Sequence, residues 1–414
     1  MSRHSIFGIC FVLALIATAA DAQVSPAPAL TLRAAIEEAL ARNPELVALR
    51  QQYDVARASP ALERYLAPPM LEAQIWGWPI TTLNPARTDM YMLTAEQELP
   101  GKGKRAARTL VAQRDAEISQ QLIAVRANQI LSDLRQAYVD LAFTREAFDV
   151  YAQQTNLLQE ITETATLRYA AGEGVQHHTV VALVDVAGVE KERIAAEARA
   201  QATEARLNTL LGRPPSQAVE PLEPVVSTLQ VQEAEQLALA RHPDVAMVEA
   251  EVAREEAELE RLRGERRPDY VVGGGYMLVP GEAGAWTARA GITWPNAPWS
   301  RGRLHATIDL QNKRIDAAKG RRAVIAAQLR EGIREAVVRL NAAERHVRLI
   351  ESTVLPQIDH AFELTRLAYA TGEGPFTEIL ETRRTLLSTQ LEYLEAQANV
   401  ARARADLETA AGAL

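Results

Sequence analysis

The sequence contains two copies of one pattern, and this repeat constrains the fold more than any other feature. The segment LRYAAGEG at residues 167–174 returns as LAYATGEG at residues 367–374, an offset of 200. The segment ARNPEL at residues 41–46 returns as ARHPDV at residues 240–245, an offset of 199. Because the offset stays nearly constant, the sequence predicts two similar halves that each carry the same hairpin.

Composition and charge narrow the class of protein. Aromatic residues are 5% of the 414 residues, which is thin for several globular cores and fits long helices packed through small side chains. The formal net charge of −8 argues against nucleic acid as a partner, because a phosphate-binding surface needs a basic excess. We find no nucleophile elbow and no metal-enzyme histidine spacing, so we predict neither an enzyme nor a cofactor.

The N-terminus has the pattern of a cleaved export signal. Arg3 precedes an apolar run at residues 6–20, and the sequence ADA at residues 20–22 supplies a small-x-small cleavage site. The run of about 15 residues is shorter than the roughly 20 that cross a bilayer as a helix, so we expect cleavage rather than an anchor. The only cysteine, Cys10, is lost with the signal and lacks the small residues that precede a lipid-modified cysteine.

Each half is predicted to form a pair of long helices. Residues 104–171 contain neither glycine nor proline, and as one helix these 68 residues would extend roughly 100 Å. We expect a returning helix over 175–211, then an ascending helix over 304–371 with a kink at Pro356, and a descending helix over 375–411. Spacings of four and three indicate a coiled-coil seam at Ile123, Ala127, Ile130, Leu134, Ala137 and Leu141.

Each half also contains two candidate β-strands. Apolar and polar residues alternate along 269–278 and 286–293, and residues 70–78 and 89–98 form the corresponding pair with poorer alternation. Strands of about nine or ten residues match the length of a tilted transmembrane strand. The tryptophans all lie in or beside these segments, where an aromatic girdle lies in a membrane barrel: Trp76, Trp78, Trp286, Trp294 and Trp299.

Four strands are too few to close a barrel. An open sheet in lipid leaves edge amides unpaired at a cost of several kcal/mol each, so several chains must contribute to one barrel. The alternative is two water-exposed hairpins packed on a helical bundle. We favour the membrane interpretation because export, strand length and tryptophan placement agree.

Together these residues resemble the TolC family of outer-membrane efflux proteins over essentially the whole mature chain. The resemblance lies in LTL at residues 30–32 leading into ALARNPEL at 39–46, in the two Tyr-x-x-Gly hairpins, and in LLGRP at 210–214. The segment QELPGKGKR at 97–105 is most similar to the branch that serves heavy-metal exporters of the resistance-nodulation-division type. The resemblance implies a mainly α protein with a small β part. A long α-helical coiled-coil barrel would join four transmembrane β-strands per chain, and trimerisation would complete a twelve-strand barrel.

The resemblance also implies a function and partners. The protein would be a passive exit duct in the outer membrane that extends into the periplasm, working as a homotrimer in contact with outer-membrane lipid. A periplasmic adaptor would connect it to an inner-membrane pump of the resistance-nodulation-division type. We expect metal cations as cargo, with drugs or a type I secreted polypeptide as one alternative. A soluble periplasmic coiled-coil scaffold is the alternative of another class.

The predicted domain organisation follows the repeat. We divide the chain into a signal peptide at 1–22; an N-terminal segment with the first helices at 23–67; β-hairpin 1 at 68–99; helical hairpin 1 at 100–213; a linker with the first helices of the second repeat at 214–267; β-hairpin 2 at 268–296; and helical hairpin 2 at 297–414.

The ends of the two helical hairpins are candidate contacts with the adaptor. Glycines there permit the positive φ that the reversal of two helices demands, whereas a simple turn does not require a tyrosine in both copies. The alternative is that the glycines only end helices. By resemblance, we predict that the adaptor contacts Arg168, Tyr169, Gly172, Gly174, Tyr369, Gly372 and Gly374.

An acidic pair follows the second hairpin. Glu378 and Glu381 are three residues apart and therefore share one helix face. The TolC family has an acidic pair here that lines the constricted tunnel entrance, and in a trimer two rings of three carboxylates would favour cations. The alternative is a solvated helix face neutralised by Arg383 and Arg384.

Three further motifs are interpreted as structural. Side chains of adjacent helix residues point about 100° apart, so we favour exposed helix histidines over a metal role for His177 and His178. We favour packing in the membrane or core over contact with soft metal ions for Met90 and Met92. The segment GKGK at 101–104 lacks the spacing of a phosphate loop, and its position predicts a junction between barrel and tunnel rather than a nucleotide site.

Overall fold

The computed structural model describes residues 29–81, 84, 87–220, 222, 238 and 240–412. The signal peptide expected at 1–22 lies outside the described residues. The first half contains α1 (Leu32–Arg42), α2 (Pro44–Leu62), β1 (Met70–Trp76), β2 (Met90–Leu99), α3 (Lys104–Ala170) and α4 (Gln176–Leu211). The second half contains α5 (Pro243–Gly264), β3 (Tyr270–Leu278), β4 (Ala285–Ile292), α6 (Arg301–Leu349), a π-helical turn (Ile350–Val354), α7 (Leu355–Thr371) and α8 (Phe376–Ala410).

The long helices confirm the prediction made from the absence of glycine and proline. Helix α3 has 67 residues, and five of the six seam positions are buried, with Ile123 half-buried. The ascent of the second half is interrupted where Pro356 predicts a kink, because a π-helical turn ends immediately before this region. A proline lacks an amide donor, and the π turn changes the hydrogen-bond pattern of the backbone there. Within the described part of the chain, no helix combines the length and apolar character of a membrane span.

The duplicated sequence segments meet in space, because the end of the last helix in each half contacts the turn at the start of an early helix of the same half. Asn43 caps α2 and donates from Nδ2 to the carbonyl of Leu210 at 2.9 Å. His242 caps α5 at the equivalent position. Gly212 and Gly412, at φ +75° and +66°, lie against these turns, where an added Cβ would approach backbone atoms to 2.5 and 3.0 Å. The duplicated segments therefore preserve one contact in each half.

The four strands form one antiparallel sheet in the order β1-β2-β3-β4, so the two hairpins pair through β2 and β3. The register runs without a break, with Leu93 opposite Tyr276 and Thr94 opposite Gly275. Since side chains alternate along a strand, this register defines two faces. The face that includes Leu93, here called the apolar face, contains Leu71, Ala73, Ile75, Tyr91, Leu93, Ala95, Gln97, Leu99, Tyr270, Val272, Gly274, Tyr276, Leu278, Trp286, Ala288, Ala290 and Ile292.

The opposite face, here called the polar face, carries every charged side chain of the strands: Glu72, Glu96, Glu98 and Arg289. Arg289 reaches Glu96 at 3.3 Å across β3, which confirms that both lie on one side. Along residues 92–96 and 271–275, polar-face residues are half-buried or buried and apolar-face residues are exposed. A sheet that curves toward its polar face produces this pattern.

Candidate functional site

Both helical hairpins turn through the same backbone motif. At the first turn the amide of Glu173 donates to the carbonyl of Arg168 at 2.9 Å, and the amide of Gly172 donates to that of Tyr169 at 3.0 Å. The second turn repeats both bonds 200 residues later. This Schellman motif needs one residue in the left-handed conformation, and Gly172 and Gly372 supply it at φ +77° and +87°.

The prediction that all four turn glycines have positive φ is wrong for the second glycine of each turn. Gly174 and Gly374 do not lie in the left-handed region. A Cβ at Gly174 would come within 3.2 Å of the amide nitrogen of Tyr169, and a Cβ at Gly374 within 3.0 Å of the Cβ of Ala368. These glycines therefore allow the returning chain to pass close to the end of the helix that precedes each turn.

Substitution of Gly172 by alanine is expected to lower the free energy of unfolding by about 1–2 kcal/mol, since an L residue in the left-handed conformation is strained. Among the described residues, no atom beyond the two chain neighbours of Gly172 lies within 4 Å of the added Cβ, so the effect isolates backbone strain. Gly188→Ala is the matched control in the interior of α4, also without neighbours, and should raise stability by about 0.5–1 kcal/mol. Thermal unfolding of the two purified variants measures this, and equal shifts of the same sign would contradict the turn assignment.

The two tyrosines of the repeat occupy different environments. Tyr169 is 48% exposed, whereas Tyr369 is only 4% exposed and packs against Phe376 with ring centroids 5.4 Å apart. Arg168 of the first hairpin donates to the carbonyl of Tyr369 and lies over its ring, 5.2 Å from the centroid. Tyr369 thus joins the two hairpin ends, and its contact with an adaptor stays a prediction.

The adjacent histidines also differ from the expectation that both are exposed. His177 is exposed, but His178 is half-buried and stacks on Phe376, with centroids 4.5 Å apart and planes 15° apart. Burial lowers the pKa of His178, and the charges of His177 and Arg168 lower it further. His178 is therefore a packing residue between the hairpins. Among the residues that the structure describes, no cluster of three or more His, Cys, Asp or Glu could hold a metal ion.

Glu378 and Glu381 are both exposed in the first turns of α8, on one side of the helix. The basic residues that follow them point elsewhere. Arg384 forms a bidentate pair with Asp185 of α4, at 2.6 and 3.1 Å, and Arg383 approaches the same carboxylate at 3.4 Å. The hydrogen bond to Asp185 raises the pKa of Arg384, with a smaller contribution from Glu381.

This contact between α4 and α8 is a buried charge cluster that sequence reasoning missed. Arg383 is 3% exposed and Asp185 is 8% exposed. Burial lowers the pKa of Arg383, while the nearby Asp185 carboxylate acts in the opposite direction. The cluster joins the two hairpins within one chain, just behind the acidic pair. The repeat relates equivalent positions about 200 residues apart, but it does not indicate that Asp185 and Arg383 are in contact.

The GKGK segment lies where the sheet meets α3. Lys104 is buried, and its amine lies 2.7 Å from Asp269 and 2.9 Å from Glu265. The amide of Gly101 donates to the other oxygen of Asp269 at 2.7 Å. The segment thus fixes the start of α3 to the residues that lead into β3, and it links the two halves at the boundary between helices and sheet.

Two long helical hairpins attached to one four-stranded sheet define the class of TolC-like channel proteins. A sequence profile described as "Outer membrane efflux protein" matches residues 35–213 and 234–413. The chain belongs to the outer membrane efflux protein family, and the resemblance identified from its residues is confirmed.

Individual relatives give the range of this similarity. The chain is 25% identical over 377 residues to the cobalt-zinc-cadmium resistance protein CzcC of Cupriavidus metallidurans, covering 88% of this chain and 86% of that protein. It is 24% identical over 312 residues to the pyoverdine export outer membrane protein OpmQ of Pseudomonas aeruginosa, covering 72% of this chain and 64% of OpmQ. The crystal structure of the outer membrane protein VceC from Vibrio cholerae superposes with a TM-score of 0.75 at 17% identity, over 92% of this chain and 96% of VceC.

Proposed function

We propose that this protein is the outer-membrane exit duct of a tripartite efflux system. The observation that carries the proposal is the sheet. Within the described residues, β1 and β4 each pair on one side only, and the apolar face exposes large side chains such as Trp286, at 82%. Lipid would cover that face, and edge amides in lipid require partners. Three copies of four strands close a twelve-strand barrel, so a homotrimer satisfies both conditions.

In this proposal the segments of the chain have separate roles. Residues 68–99 and 268–296 form the membrane part, and the helical hairpins at 100–213 and 297–414 form the tunnel through the periplasm. Export through the signal peptide at residues 1–22 would place the mature chain on the correct side of the inner membrane. The duct is passive, and an inner-membrane pump of the resistance-nodulation-division type supplies the energy.

The ends of the hairpins are proposed to meet the periplasmic adaptor. Tyr169 and the side chains of Leu167 and Leu367, each 64% exposed, form an apolar rim around the two turns. Arg168 and Tyr369 hold the two ends together, and the glycines fix the shape of each turn. Aromatic and apolar residues of this kind supply much of the energy at protein interfaces.

Metal cations are the cargo that we propose. The protein named for cobalt, zinc and cadmium resistance is similar over most of both chains. The charged side chains of the sheet are three carboxylates and one arginine, and Glu378 and Glu381 add exposed carboxylates at the hairpin ends. Because OpmQ is named for pyoverdine export, an organic cargo is the second candidate.

Replacement of both Glu378 and Glu381 by glutamine is expected to reduce the preference of the channel for cations. Two rings of three carboxylates would lose their negative field, while the side chains keep their size. Reversal potentials in planar bilayers under a salt gradient measure the preference. Glu37→Gln on α1 removes one carboxylate charge per chain outside the hairpin ends and should not change the preference. An unaltered preference in the double variant would contradict the ring assignment.

The cargo is tested in a strain that lacks the gene. We expect lower tolerance to divalent metals, restored by the wild-type gene, with little change in tolerance to dyes and detergents. Unchanged metal tolerance together with increased dye sensitivity would favour the organic cargo and leave the duct itself in place.

A further inference from the structure

The methionines of the sheet are distributed unequally between its two faces. The chain has six methionines, and four of them lie in the strands: Met70, Met90, Met92 and Met277. The register places all four on the polar face, among the carboxylates. Packing against lipid would have placed them on the apolar face, which has none. The register therefore places Met90 and Met92 away from the face that lipid would cover, and their packing in a core stays a prediction.

Three of these methionines form one patch. Met92 on β2 is the direct cross-strand partner of Met277 on β3, and Gln74 is its partner on β1. Opposite residues in an antiparallel pair have Cβ atoms about 5 Å apart. Met90 lies two residues from Met92 on the same face, opposite Trp76. All three are half-buried, which leaves the side chains accessible from the concave side of the sheet.

The chemistry of this patch differs from that of the acidic residues. Thioether sulfur is a soft ligand that selects cations such as Cu⁺, whereas carboxylates prefer harder cations. Each methionine side chain has three rotatable bonds, so neighbouring sulfur atoms can turn toward one ion. Two or three thioethers from adjacent strands supply such a site within a single protomer.

We propose that Met90, Met92 and Met277 form a binding site for soft monovalent cations, of the class of Cu⁺ and Ag⁺, on the inner wall of the duct. The inference rests on the proposed function, which makes the polar face the lumen. Three protomers place three such sites around the wall, near the outer ends of the strands. An ion held by thioethers exchanges between neighbouring sites as it leaves, and it does not compete with hard cations held by carboxylates.

Titration of the purified full-length protein with Ag⁺ in chloride-free buffer tests the site. We expect wild type to bind Ag⁺ and to show a sulfur coordination shell by X-ray absorption. The double variant Met92→Leu/Met277→Leu keeps the side-chain size and should weaken binding about tenfold or more. Met247→Leu on α5 is the matched control and should bind as wild type. Equal Ag⁺ affinity in the double variant and wild type would overturn the proposal. The absence of sulfur from the coordination shell of Ag⁺ bound to wild type would overturn it as well.

Conductance of the same preparations in planar bilayers separates this proposal from the duct itself. Conduction with unaltered Ag⁺ binding in the double variant would refute the methionine site and leave the exit duct intact. If the double variant loses the Ag⁺ binding of wild type and neither protein conducts, the result would support the methionine site and refute the duct.

Discussion

Substitution of Leu93 by arginine is expected to abolish assembly of the protein in the outer membrane. Leu93 lies in the middle of β2 on the apolar face and is 61% exposed. An arginine at the bilayer midplane costs about 2–4 kcal/mol, and a trimer would contain three copies. Heat-sensitive trimers in the outer-membrane fraction, seen on gels of unheated samples, measure assembly.

The neighbouring position provides a matched control. Thr94 lies on the polar face opposite Glu72, so Thr94→Arg adds the same charge to the lumen side, where a carboxylate can pair with it. We expect Thr94→Arg to assemble as wild type does. If the sheet faced water, an exposed leucine would tolerate arginine at little cost. Normal assembly of Leu93→Arg would therefore contradict the membrane assignment of the apolar face.

Removal of the Asp185 carboxylate is expected to destabilise the hairpin pair severely. Asp185→Ala leaves Arg383 buried with a positive charge and no counter-ion, which costs about 3–5 kcal/mol. Nε and Nη1 of Arg383 already lack hydrogen-bond partners among the described residues, so no other group compensates. Arg384 is 55% exposed, so water solvates its guanidinium group when the carboxylate is absent. Guanidinium unfolding of the detergent-solubilised protein measures the loss.

Two further variants make this prediction specific. The pair Asp185→Leu/Arg383→Met replaces both buried charges by apolar groups and should recover most of the lost stability. Glu190→Ala removes an exposed ion pair with Arg193 on the same helix and should have no measurable effect. Equal stability of Asp185→Ala and Glu190→Ala would show that the Asp185 cluster contributes nothing.

The sequence determines the helical part of the fold almost completely. Helix α3 begins and ends within one residue of the run without glycine and proline, because nothing between residues 104 and 171 interrupts the backbone hydrogen bonds. The turns are set by Gly172 and Gly372 for the same local reason. Local patterns predict these features well, since each depends on residues that are close along the chain.

The sequence located the four strands of the sheet. It did not show which side chains of the first two strands lie on which face. Four apolar residues in succession, Met90 to Leu93, hide the alternation that would assign faces. Pairing with β3, where Gly273, Gly275 and Met277 share one side, resolves it. Similarly, the contacts of Arg168 with Tyr369 and of Asp185 with Arg383 join residues about 200 positions apart. Such contacts depend on tertiary packing, for which a single sequence has no periodic signal.

The closure of the sheet by neighbouring chains is tested most directly by cross-linking its edges. Ala73 on β1 and Ala290 on β4 both belong to the apolar face. Processing would remove the only native cysteine, so a double variant with cysteine at both positions has no competing thiol. In isolated outer membranes, a short thiol cross-linker should yield a ladder that ends at three chains. A variant that remains monomeric and is recovered in the aqueous fraction without detergent would contradict the exit-duct account.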